Sequence, residues 1–419
     1  MATSPAPRLP VRPVLPVLPV LIIGSGLGGL TLAQALAKHH IPFRIFERDA
    51  IRDQRFQGYR IRIHQLGLDA LRECLPPRAF ARFEETCAVN VKPSGRIDAR
   101  TGQDLPGRMG PANGPPPGQP TPGTPSEKQP FISLPADRRV MREALMTDLN
   151  PPITYSKAFT KYTTTPSCVT AHFADGSSAE GSLLIGADGI RSRVAAQLTG
   201  GRVEVIDLAR MIFGRTPITR DVEIALHPSL GGGMALVVDP KDPNGQLNLF
   251  VEAMRFTHQG ANPDYIHWVL TGTPPHFGVD DTTLLACDGS SARHFSLKAT
   301  SAWDRTIRAL LEHQDPRHTS VLRLTSSSPR GVVQWQTDRR VTLLGDAVHS
   351  MSPTGGSGAN TALWDAQTLA QILASGVAED GWTTDAIGEY ETRIREFAGK
   401  QVKMSYQAAS HGFGVKLPD

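Results

Sequence analysis

The sequence has few cysteines for its length, four in 419 residues. They stand far apart at Cys74, Cys87, Cys168 and Cys287, outside any Cys-x-x-Cys or Cys/His cluster. This spacing excludes the disulfide framework of a small secreted domain and the cysteine-rich zinc sites. We therefore expect no metal site, and we expect the protein in the reducing cytoplasm.

An excess of charge of one sign is also absent, because the formal net charge is only +4 at pH 7 and no dense Lys/Arg run occurs. We therefore expect no nucleic-acid partner, although the small positive excess favours anionic ligands such as phosphates. No stretch is long and apolar enough to predict a membrane span. The apolar start from Val11 to Ile23 contains three prolines and runs into a glycine-rich turn, so we expect a buried strand rather than a targeting segment.

What the sequence does have is the composition of a globular protein, with 40% hydrophobic and 20% charged residues. Its length exceeds the usual size of one domain, so we expect two interleaved domains. Residues 107–130 are dense in proline and glycine, which predicts a flexible surface loop. A lid over a substrate pocket is the alternative interpretation of this loop.

The N-terminal region has the pattern of a βαβ unit. Val20–Ile23 is a short apolar run typical of a buried parallel strand, and Phe43–Phe46 predicts the next strand. Between them, Leu27–His39 has apolar residues at helical spacing. The turn from Gly24 to Gly29 reads GSGLGG and fits the dinucleotide motif G-x-G-x-x-G.

Each glycine of this motif has a physical reason. Gly24 permits the tight turn, Gly26 lets the backbone approach a pyrophosphate, and Gly29 lets the helix pack closely on the strand. The helix N-terminus offers free N–H groups and the positive end of its dipole to phosphates. Glu47, at the end of the second strand, would bind ribose hydroxyls and repel a 2′-phosphate. The unit predicts FAD or NAD rather than NADP, and the motif alone does not separate FAD from NAD.

Two later strands also lead into an aspartate beside glycine. Leu183–Ile185 leads into Asp188, which a simple turn would explain as well, and Val341–Leu344 leads into Asp346. A carboxylate at a strand end accepts hydrogen bonds only, and this suits a polyol hydroxyl. We expect His349, close to the second aspartate, to be a structural hydrogen-bonding residue rather than a proton carrier.

A glycine-rich loop from Pro353 to Gly358 follows and leads into a long helix. That helix is predicted over Asn360–Ala374, because its alanines and leucines share one stripe and Gly376 lies past its end. A glycine-rich loop that feeds a helix N-terminus suits a site where negative charge accumulates.

Taken together, these motifs resemble those of the class A flavoprotein monooxygenases, which are similar to para-hydroxybenzoate hydroxylase. The resemblance rests on the glycine turn with Glu47, the turn at 186–189, and the run from Gly345-Asp346 to Asp365-Ala366, in the family's order. It implies an α/β fold, a Rossmann-like FAD-binding domain with an interleaved, mostly antiparallel β substrate domain. The implied bounds are 14–87, 131–200 and 336–405 for the FAD-binding domain, and 88–130 and 201–335 for the substrate domain.

The resemblance also implies residue roles. Glu47 would bind the adenosine ribose, Arg138 would lie near the ribityl-phosphate region of the flavin, and Asp346 would hold a ribityl hydroxyl. Asp188 would belong to a turn linked to FAD and NAD(P)H binding. The glycine-rich loop would lie along the isoalloxazine, with the helix from Asn360 pointing at its pyrimidine edge. The implied cofactor-binding residues are Gly24, Gly26, Gly28, Gly29, Glu47, Arg48, Arg138, Asp188, Asp346, Pro353, Gly355, Gly356, Gly358, Ala359 and Asn360.

The chemistry implied by the resemblance is oxygenation. NADPH or NADH would reduce FAD, dioxygen would add to give a C4a-hydroperoxyflavin, and one oxygen would pass to an aromatic or polycyclic small molecule of secondary metabolism. In such an enzyme the flavin supplies the reactivity, and the protein supplies position, exclusion of water and charge. Hydroxylation, epoxidation and rearrangement remain open, as do the monomeric and homodimeric states. No nucleic-acid or membrane partner is expected.

Substrate-side residues are suggested by alternation and position. Arg60, Arg62 and His64 fall on one face of a predicted strand that, by resemblance, approaches the flavin or the substrate. Phe213 and Arg215 share a face of a later strand that could roof the pocket. We take Arg62, His64 and Arg215 as candidate catalytic residues, with solvated surface arginines and ordinary core packing as the alternatives.

Two other classes of function fit the same scaffold. A flavin reductase or dehydrogenase would share the dinucleotide turn, and a non-catalytic flavin-binding protein would share the fold. A flavin halogenase should carry a Trp-x-Trp-x-Ile-Pro signature, and Trp335 and Trp364 lie in no such context. The retained Pro353–Gly358 loop beside both aspartate turns favours an enzyme.

The rest of the chain predicts further elements. We expect a helix over Arg138–Leu149 that ends at the following prolines. Tyr162–Thr165 and Val169–Phe173 predict a hairpin, whose next turn leads into a third strand at Leu183–Ile185. Residues 203–335 predict short alternating strands of a largely antiparallel domain.

Overall fold

The structure is a computed structural model, and it describes residues 18–52, 60–89, 93–106, 133–242, 245–257, 263–376 and 381–413. The proline- and glycine-rich loop predicted at 107–130 therefore lies outside the described residues. None of the helices that the described residues form has both the length and the apolar character needed to cross a bilayer.

The described elements alternate between strands and helices in the first half of the chain. The strands are β1 (Val20–Ile23), β2 (Phe43–Phe46), β3 (Arg60–His64), β4 (Pro93–Asp98), β5 (Asp104–Leu105), β6 (Ser133–Asp137), β7 (Phe159–Thr164), β8 (Val169–Phe173), β9 (Ser178–Gly181), β10 (Leu183–Gly186), β11 (Val205–Pro217), β12 (Met234–Asp239), β13 (Leu247–Met254), β14 (Tyr265–Gly272), β15 (Ser320–Ser327) and β16 (Val341–Leu343). The helices are α1 (Leu27–Lys38), α2 (Gln65–Cys74), α3 (Pro77–Glu85), α4 (Arg138–Leu145), α5 (Arg193–Thr199), α6 (Arg220–Ala225), α7 (Pro228–Gly231), α8 (Pro274–Phe277), α9 (Asp281–Ala286), α10 (Gly289–Ala299), α11 (Arg305–Glu312), α12 (Asp346–His349), α13 (Gly358–Ala374) and α14 (Thr384–Phe413), with 3₁₀ turns at Pro316–His318 and Pro353–Gly355.

A parallel sheet forms the centre of the Rossmann-like part. Within the described ranges it has four strands in the order β16-β10-β1-β2, and Val20 pairs with Leu183 on one side and Phe43 on the other. Strands β1, β10 and β16 are buried throughout. Parallel strands covered on both faces are near-continuous apolar runs, and these sequences fit that pattern with Thr342 as the polar exception. The carboxyl ends of β1, β2, β10 and β16 meet at one edge, where Gly24, Glu47, Asp188 and Asp346 follow.

A larger sheet forms the second part. Its described strands number seven, in the order β15-β11-β14-β13-β12-β4-β5, and every pairing is antiparallel except that of β12 with β4. One face carries Ile212, Val251 and Trp268, which pack in one apolar core with residues of α8 to α11. Because side chains alternate along a strand, the intervening residues face the other way. The mostly antiparallel second part is as predicted.

Three expectations about elements were wrong. Helix α4 ends at Leu145 rather than Leu149, because the backbone turns at Met146 and Asp148 adopts a φ of 55° before the prolines are reached. The third strand of the hairpin sheet is β9 and not Leu183–Ile185. Leu183–Gly186 lies in the parallel sheet instead, as its complete burial fits. Residues 203–335 also contain the helices α6 to α11, three of which begin at aspartate N-caps that the strand-based prediction missed.

Candidate functional site

The turn between β1 and α1 is shaped by close backbone contacts. Gly24 has a φ of +108°, and a Cβ there would lie 2.3 Å from the carbonyl oxygen of Ala187. At Gly29 a Cβ would lie 2.4 Å from the Gly24 oxygen, and at Gly28 it would lie 2.4 Å from Leu344. At Gly26 a Cβ would meet nothing within 4 Å. The turn is thus closed toward the protein and open on the side where α1 begins.

The end of β2 holds this turn from one side. Glu47 is buried, and its Oε2 accepts hydrogen bonds from the Ser25 amide (3.0 Å) and the Ser25 hydroxyl (2.8 Å). Its Oε1 accepts a hydrogen bond from the Asp49 amide at 3.2 Å. The next residue, Arg48, is exposed. Glu47 therefore fixes the glycine turn in addition to any contact with a ribose.

The carboxylate of Asp188 forms hydrogen bonds with groups of the protein itself. It accepts hydrogen bonds from the Ser192 hydroxyl and from the Arg193 amide at 2.8 Å, at the start of α5. Burial raises the pKa of Asp188 above its usual value. The Asp188 turn also packs against Gly24, so it supports the dinucleotide turn structurally.

The segment after β16 presents one carboxylate outward. Asp346 is exposed, whereas Ala347, Val348 and His349 are buried. Burial lowers the pKa of Arg138, and the nearby charge of Asp346 opposes this shift. Asp346 and Arg138 are thus close enough for their charges to interact, although they lie on elements far apart in sequence.

The loop before α13 is open on one edge. Pro353, Gly355 and Gly356 are exposed, and Gly356 has a φ of +63° that favours glycine. The side of the loop turned to the protein is anchored, because the Ser405 hydroxyl donates to the Ser352 carbonyl at 2.7 Å. Helix α13 begins directly after this loop, so its N-terminal amides lie at the same edge.

Asn360 joins this loop to strand β3. Its buried amide group donates to the carbonyls of Gly356 (2.8 Å) and Arg62 (2.9 Å), and its Oδ1 accepts a hydrogen bond from the His64 amide (3.0 Å). Ala359 beside it is half-buried. Since these bonds occupy the amide group, Asn360 positions the loop rather than reaching outward.

His349 lies in a buried pair with Asp365 of α13. Its Nε2 lies 2.5 Å from Asp365 Oδ2, which also accepts a hydrogen bond from the Gly345 amide at 2.9 Å. Burial lowers the pKa of His349, but the charge and the hydrogen bond of Asp365 outweigh it, so the net shift is upward. His349 is therefore the structural hydrogen-bonding residue that the sequence predicts.

The arginines of β3 are paired with one buried carboxylate of the large sheet. Arg62 donates to Glu252 Oε1 at 2.6 Å and to the Ser133 hydroxyl at 3.1 Å, and Arg60 forms an ion pair with the same glutamate. They are therefore not solvated surface arginines. His64, on the same face, is half-buried, and burial lowers its pKa to about 4.

Arg215 lies on β11, separated from the Glu252 strand by β14. Its guanidinium sits over the ring of Tyr265, 5.4 Å from the centroid, and contacts His318. Burial, followed by the charge of Arg215, lowers the pKa of His318. His267, opposite both Arg215 and Glu252 in the sheet, has a pKa of about 3, because burial and the charge of Arg60 disfavour its protonation.

Two residues of the site were missed by the sequence analysis. Arg142 lies in α4 and donates to the Ser25 hydroxyl, and Glu252 is the one charged residue of the mostly apolar strand β13. A buried charge in an apolar strand needs a partner, and that requirement was a readable signal for Glu252. For Arg142 the signal was its position four residues after Arg138, on the same helix face.

The groups at the carboxyl ends of the parallel strands fit FAD. The open side of Gly26 at the start of α1 admits a diphosphate, and Asp346 supplies an outward acceptor for a polyol hydroxyl. The exposed edge at 353–356, followed by the N-terminus of α13, offers backbone amides to a planar ring system.

Comparisons with known proteins agree with this geometry. Residues 286–405 match the FAD binding domain family, and residues 22–73 match the NAD(P)-binding Rossmann-like domain family. A dual O-methyltransferase/FAD-dependent monooxygenase of Cercospora beticola is 32% identical over 94% of this chain and 46% of its own length. The chain thus spans less than half the length of this relative. An FAD-dependent monooxygenase of Emericella nidulans is 30% identical, over 100% of this chain and 99% of the relative.

A solved structure supports the same assignment. The protein from Photorhabdus luminescens, assigned as an FAD-containing monooxygenase, is 28% identical and superposes with a TM-score of 0.76 over 94% of this chain and 98% of that one. The chain belongs to the family of FAD-dependent monooxygenases. The predicted family, the Rossmann-like α/β fold and FAD as the cofactor are thereby confirmed.

Proposed function

We propose that this protein uses NAD(P)H and dioxygen to oxygenate an aromatic or polycyclic small molecule, in secondary metabolism. The observation that carries the proposal is the position of strand β3. Its backbone is bonded to Asn360 beside the glycine-rich loop, and its arginines bind Glu252 on the large sheet. The proposed flavin edge and the open face of the sheet therefore border the same space.

The open face of the sheet supports an aromatic substrate. Phe213, Val269, Phe250 and Leu236 form one cross-strand row on this face. Val269, Phe250 and Leu236 are only half-buried, although the residues that alternate with them along their strands are buried in the core. Arg60 lies over the Phe250 ring, 5.1 Å from its centroid, which places β3 against the row. A flat apolar body fits such a surface.

A polar row adjoins the apolar one. Arg215, His267 and Glu252 lie directly opposite one another, two residues along their strands. This row supports a substrate that carries a hydroxyl or other oxygen at one edge, because polar side chains beside an apolar surface fix the orientation of a ligand by hydrogen bonds. Arg62 and Arg215 would orient that oxygen, and His64 would face the same space as a neutral group.

FAD, when bound, supplies the redox chemistry, which is acceptance of electrons from NAD(P)H and activation of dioxygen. The chain's own part is to hold it. The turn at Gly24–Gly29 would bind the diphosphate, Glu47 the ribose, and Asp346 the polyol chain. The loop at 353–358 and the N-terminus of α13 would stabilise negative charge on the ring system.

Consumption of NADPH and transfer of isotopically labelled dioxygen test this proposal. The FAD-loaded protein is assayed with a panel of phenols, indoles and polycyclic aromatics. We expect one compound class to accelerate NADPH consumption and to acquire a labelled oxygen. Consumption that yields only hydrogen peroxide with every compound would favour a reductase instead.

Composition supports further features of the proposal. All four cysteines belong to the described residues and are free, which supports a reducing cytoplasm. The low net charge supports a small-molecule enzyme without nucleic-acid or membrane partners, either a monomer or a homodimer.

We propose the same domain bounds as the sequence predicts, with 14–87, 131–200 and 336–405 in the FAD-binding domain and 88–130 and 201–335 in the substrate domain. The pairing of β4 and β5 with the large sheet supports the short second segment.

A further inference from the structure

Ser25, inside the dinucleotide turn, is held from two sides. On one side Glu47 accepts hydrogen bonds from its amide at 3.0 Å and its hydroxyl at 2.8 Å. On the other side Arg142 Nη2 donates to the Ser25 carbonyl at 3.3 Å and to the hydroxyl at 3.2 Å. Ser25 is fully buried and Arg142 nearly so. Such a clamp fixes the peptide groups between Gly24 and Gly26.

Arg142 belongs to a pair of cations on one face of α4. Arg138 precedes it by four residues, so the two side chains lie about 6 Å apart along the helix axis. Burial lowers the pKa of Arg138, the charge of Asp346 raises it, and the charge of Arg142 lowers it further. Arg138 is thus near both the carboxylate after β16 and the second arginine. The two cations span the distance from the glycine turn to Asp346.

We propose that Arg142 is a positioning residue for the adenosine diphosphate half of FAD. It holds Ser25 so that the amides after Gly26 point into the open side of the turn, where a Cβ would meet nothing within 4 Å. A dianionic diphosphate there would also relieve the repulsion between two neighbouring arginines, the buried Arg142 and the half-buried Arg138. Arg138 serves the flavin side of the same diphosphate.

The guanidinium group suits this task better than an ammonium. Its planar fork reaches the Ser25 carbonyl and hydroxyl together, whereas a lysine keeps the charge and loses the fixed two-acceptor geometry. The proposal therefore predicts a graded series, in which lysine at this position retains part of the affinity and methionine retains the least.

Titration calorimetry of the apoprotein with ADP and with FAD tests the role. Arg142→Met should weaken the binding of both ligands by roughly tenfold and by the same factor, because the contact concerns the part that they share. Arg142→Lys should fall between Arg142→Met and the wild type. Arg139→Met is the matched control, since Arg139 lies on the exposed side of the same helix and pairs with Glu143.

A second variant keeps the test decisive if Arg142→Met does not fold. Ser25→Ala removes the hydroxyl that joins Glu47 to Arg142 and should weaken ADP binding while the apoprotein melting temperature stays near that of the wild type. Unchanged ADP affinity in Ser25→Ala, or in a folded Arg142→Met, would overturn the proposal. Because ADP carries no flavin, this result is independent of whether the protein oxygenates a substrate.

Discussion

One carboxylate stands out at the scale of single residues. Asp346 is exposed at the centre of a segment whose neighbours on both sides are buried, and its charge acts on Arg138. An exposed acid at that place contributes nothing to the apolar core beneath it. The proposed contact with a hydroxyl-rich ligand on the other side of the carboxylate would explain its position.

Replacement of this residue is the first prediction. Asp346→Ala should lose most of the FAD during purification, because a hydrogen bond to a charged group contributes about 1.5–3 kcal/mol. The ratio of flavin to protein absorbance after gel filtration measures the loss. The exposed Asp221, in α6 of the second part, gives the control Asp221→Ala. Full flavin retention in Asp346→Ala would remove the proposed ribityl role.

The second prediction concerns pH and rests on His267. Its pKa in the folded protein is about 3, mainly through burial, against an ordinary value of 6.5. The unfolded chain therefore binds the proton more readily, and folding stability should fall as the pH drops from 6.5 toward 3. His64, with a pKa of about 4, adds to the fall in the same direction.

Urea denaturation at several pH values measures this dependence. His267→Gln should make the loss of unfolding free energy below pH 6.5 shallower than in the wild type. The exposed His39 supplies the control variant His39→Gln, which should keep the wild-type slope. A His267→Gln slope equal to that of the wild type would mean that His267 does not carry the linkage.

At the scale of elements, substitutions in the β1–α1 turn distinguish an effect on folding from an effect on FAD binding. Gly26→Val adds a side chain where the protein has free space, so the variant should fold and fail to bind FAD. Gly29→Val places a Cβ 2.4 Å from the Gly24 oxygen, so it should lose thermal stability as well as FAD. Circular dichroism melts and flavin absorbance check the two variants. Equal FAD content in Gly26→Val and the wild type would contradict the proposed diphosphate position.

Elements with a strong local pattern were predictable from the sequence. The bounds of β1 and β2 agree with the prediction because each is a short, largely apolar run, interrupted in β2 only by the exposed Arg44, beside a glycine turn or a charged residue. The helix from residue 358 was predictable because alanines and leucines recur on one stripe. The short helices α6 to α11 were not, because four to eleven residues hold little periodicity and their stability comes from packing on the sheet.

At the scale of the whole molecule, one buried acid ties strand β3, which pairs with β6 in a separate two-stranded sheet, to the large sheet. Glu252 is fully buried and binds Arg60 and Arg62 of β3, the strand whose backbone is fixed by Asn360. Nothing in the local sequence shows this meeting, because it joins residues about two hundred positions apart. The cofactor half of the site was readable from short motifs, whereas the substrate half depends on these long-range pairs.

The corresponding prediction concerns removal of the Glu252 charge. Glu252→Gln leaves two neighbouring arginines without their shared anion, and loss of one partner of a buried pair costs about 3–5 kcal/mol of unfolding free energy. Urea denaturation of the FAD-loaded protein measures the change. Glu223→Gln, on an exposed pair with Arg255, should change the free energy by less than about 1 kcal/mol. Equal effects of the two variants would show that Glu252 does not stabilise the contact between β3 and the large sheet.

The measurement that tests the central claim most directly is anaerobic stopped-flow reduction of the bound flavin by NADPH. It is run alone and with phenolic, indolic and polycyclic compounds. The account predicts that one class of aromatic compound accelerates bleaching of the flavin by orders of magnitude, because the open sheet face and the flavin edge share one space. A flavin that NADPH never reduces, with or without any of these compounds, would contradict it and leave only the fold.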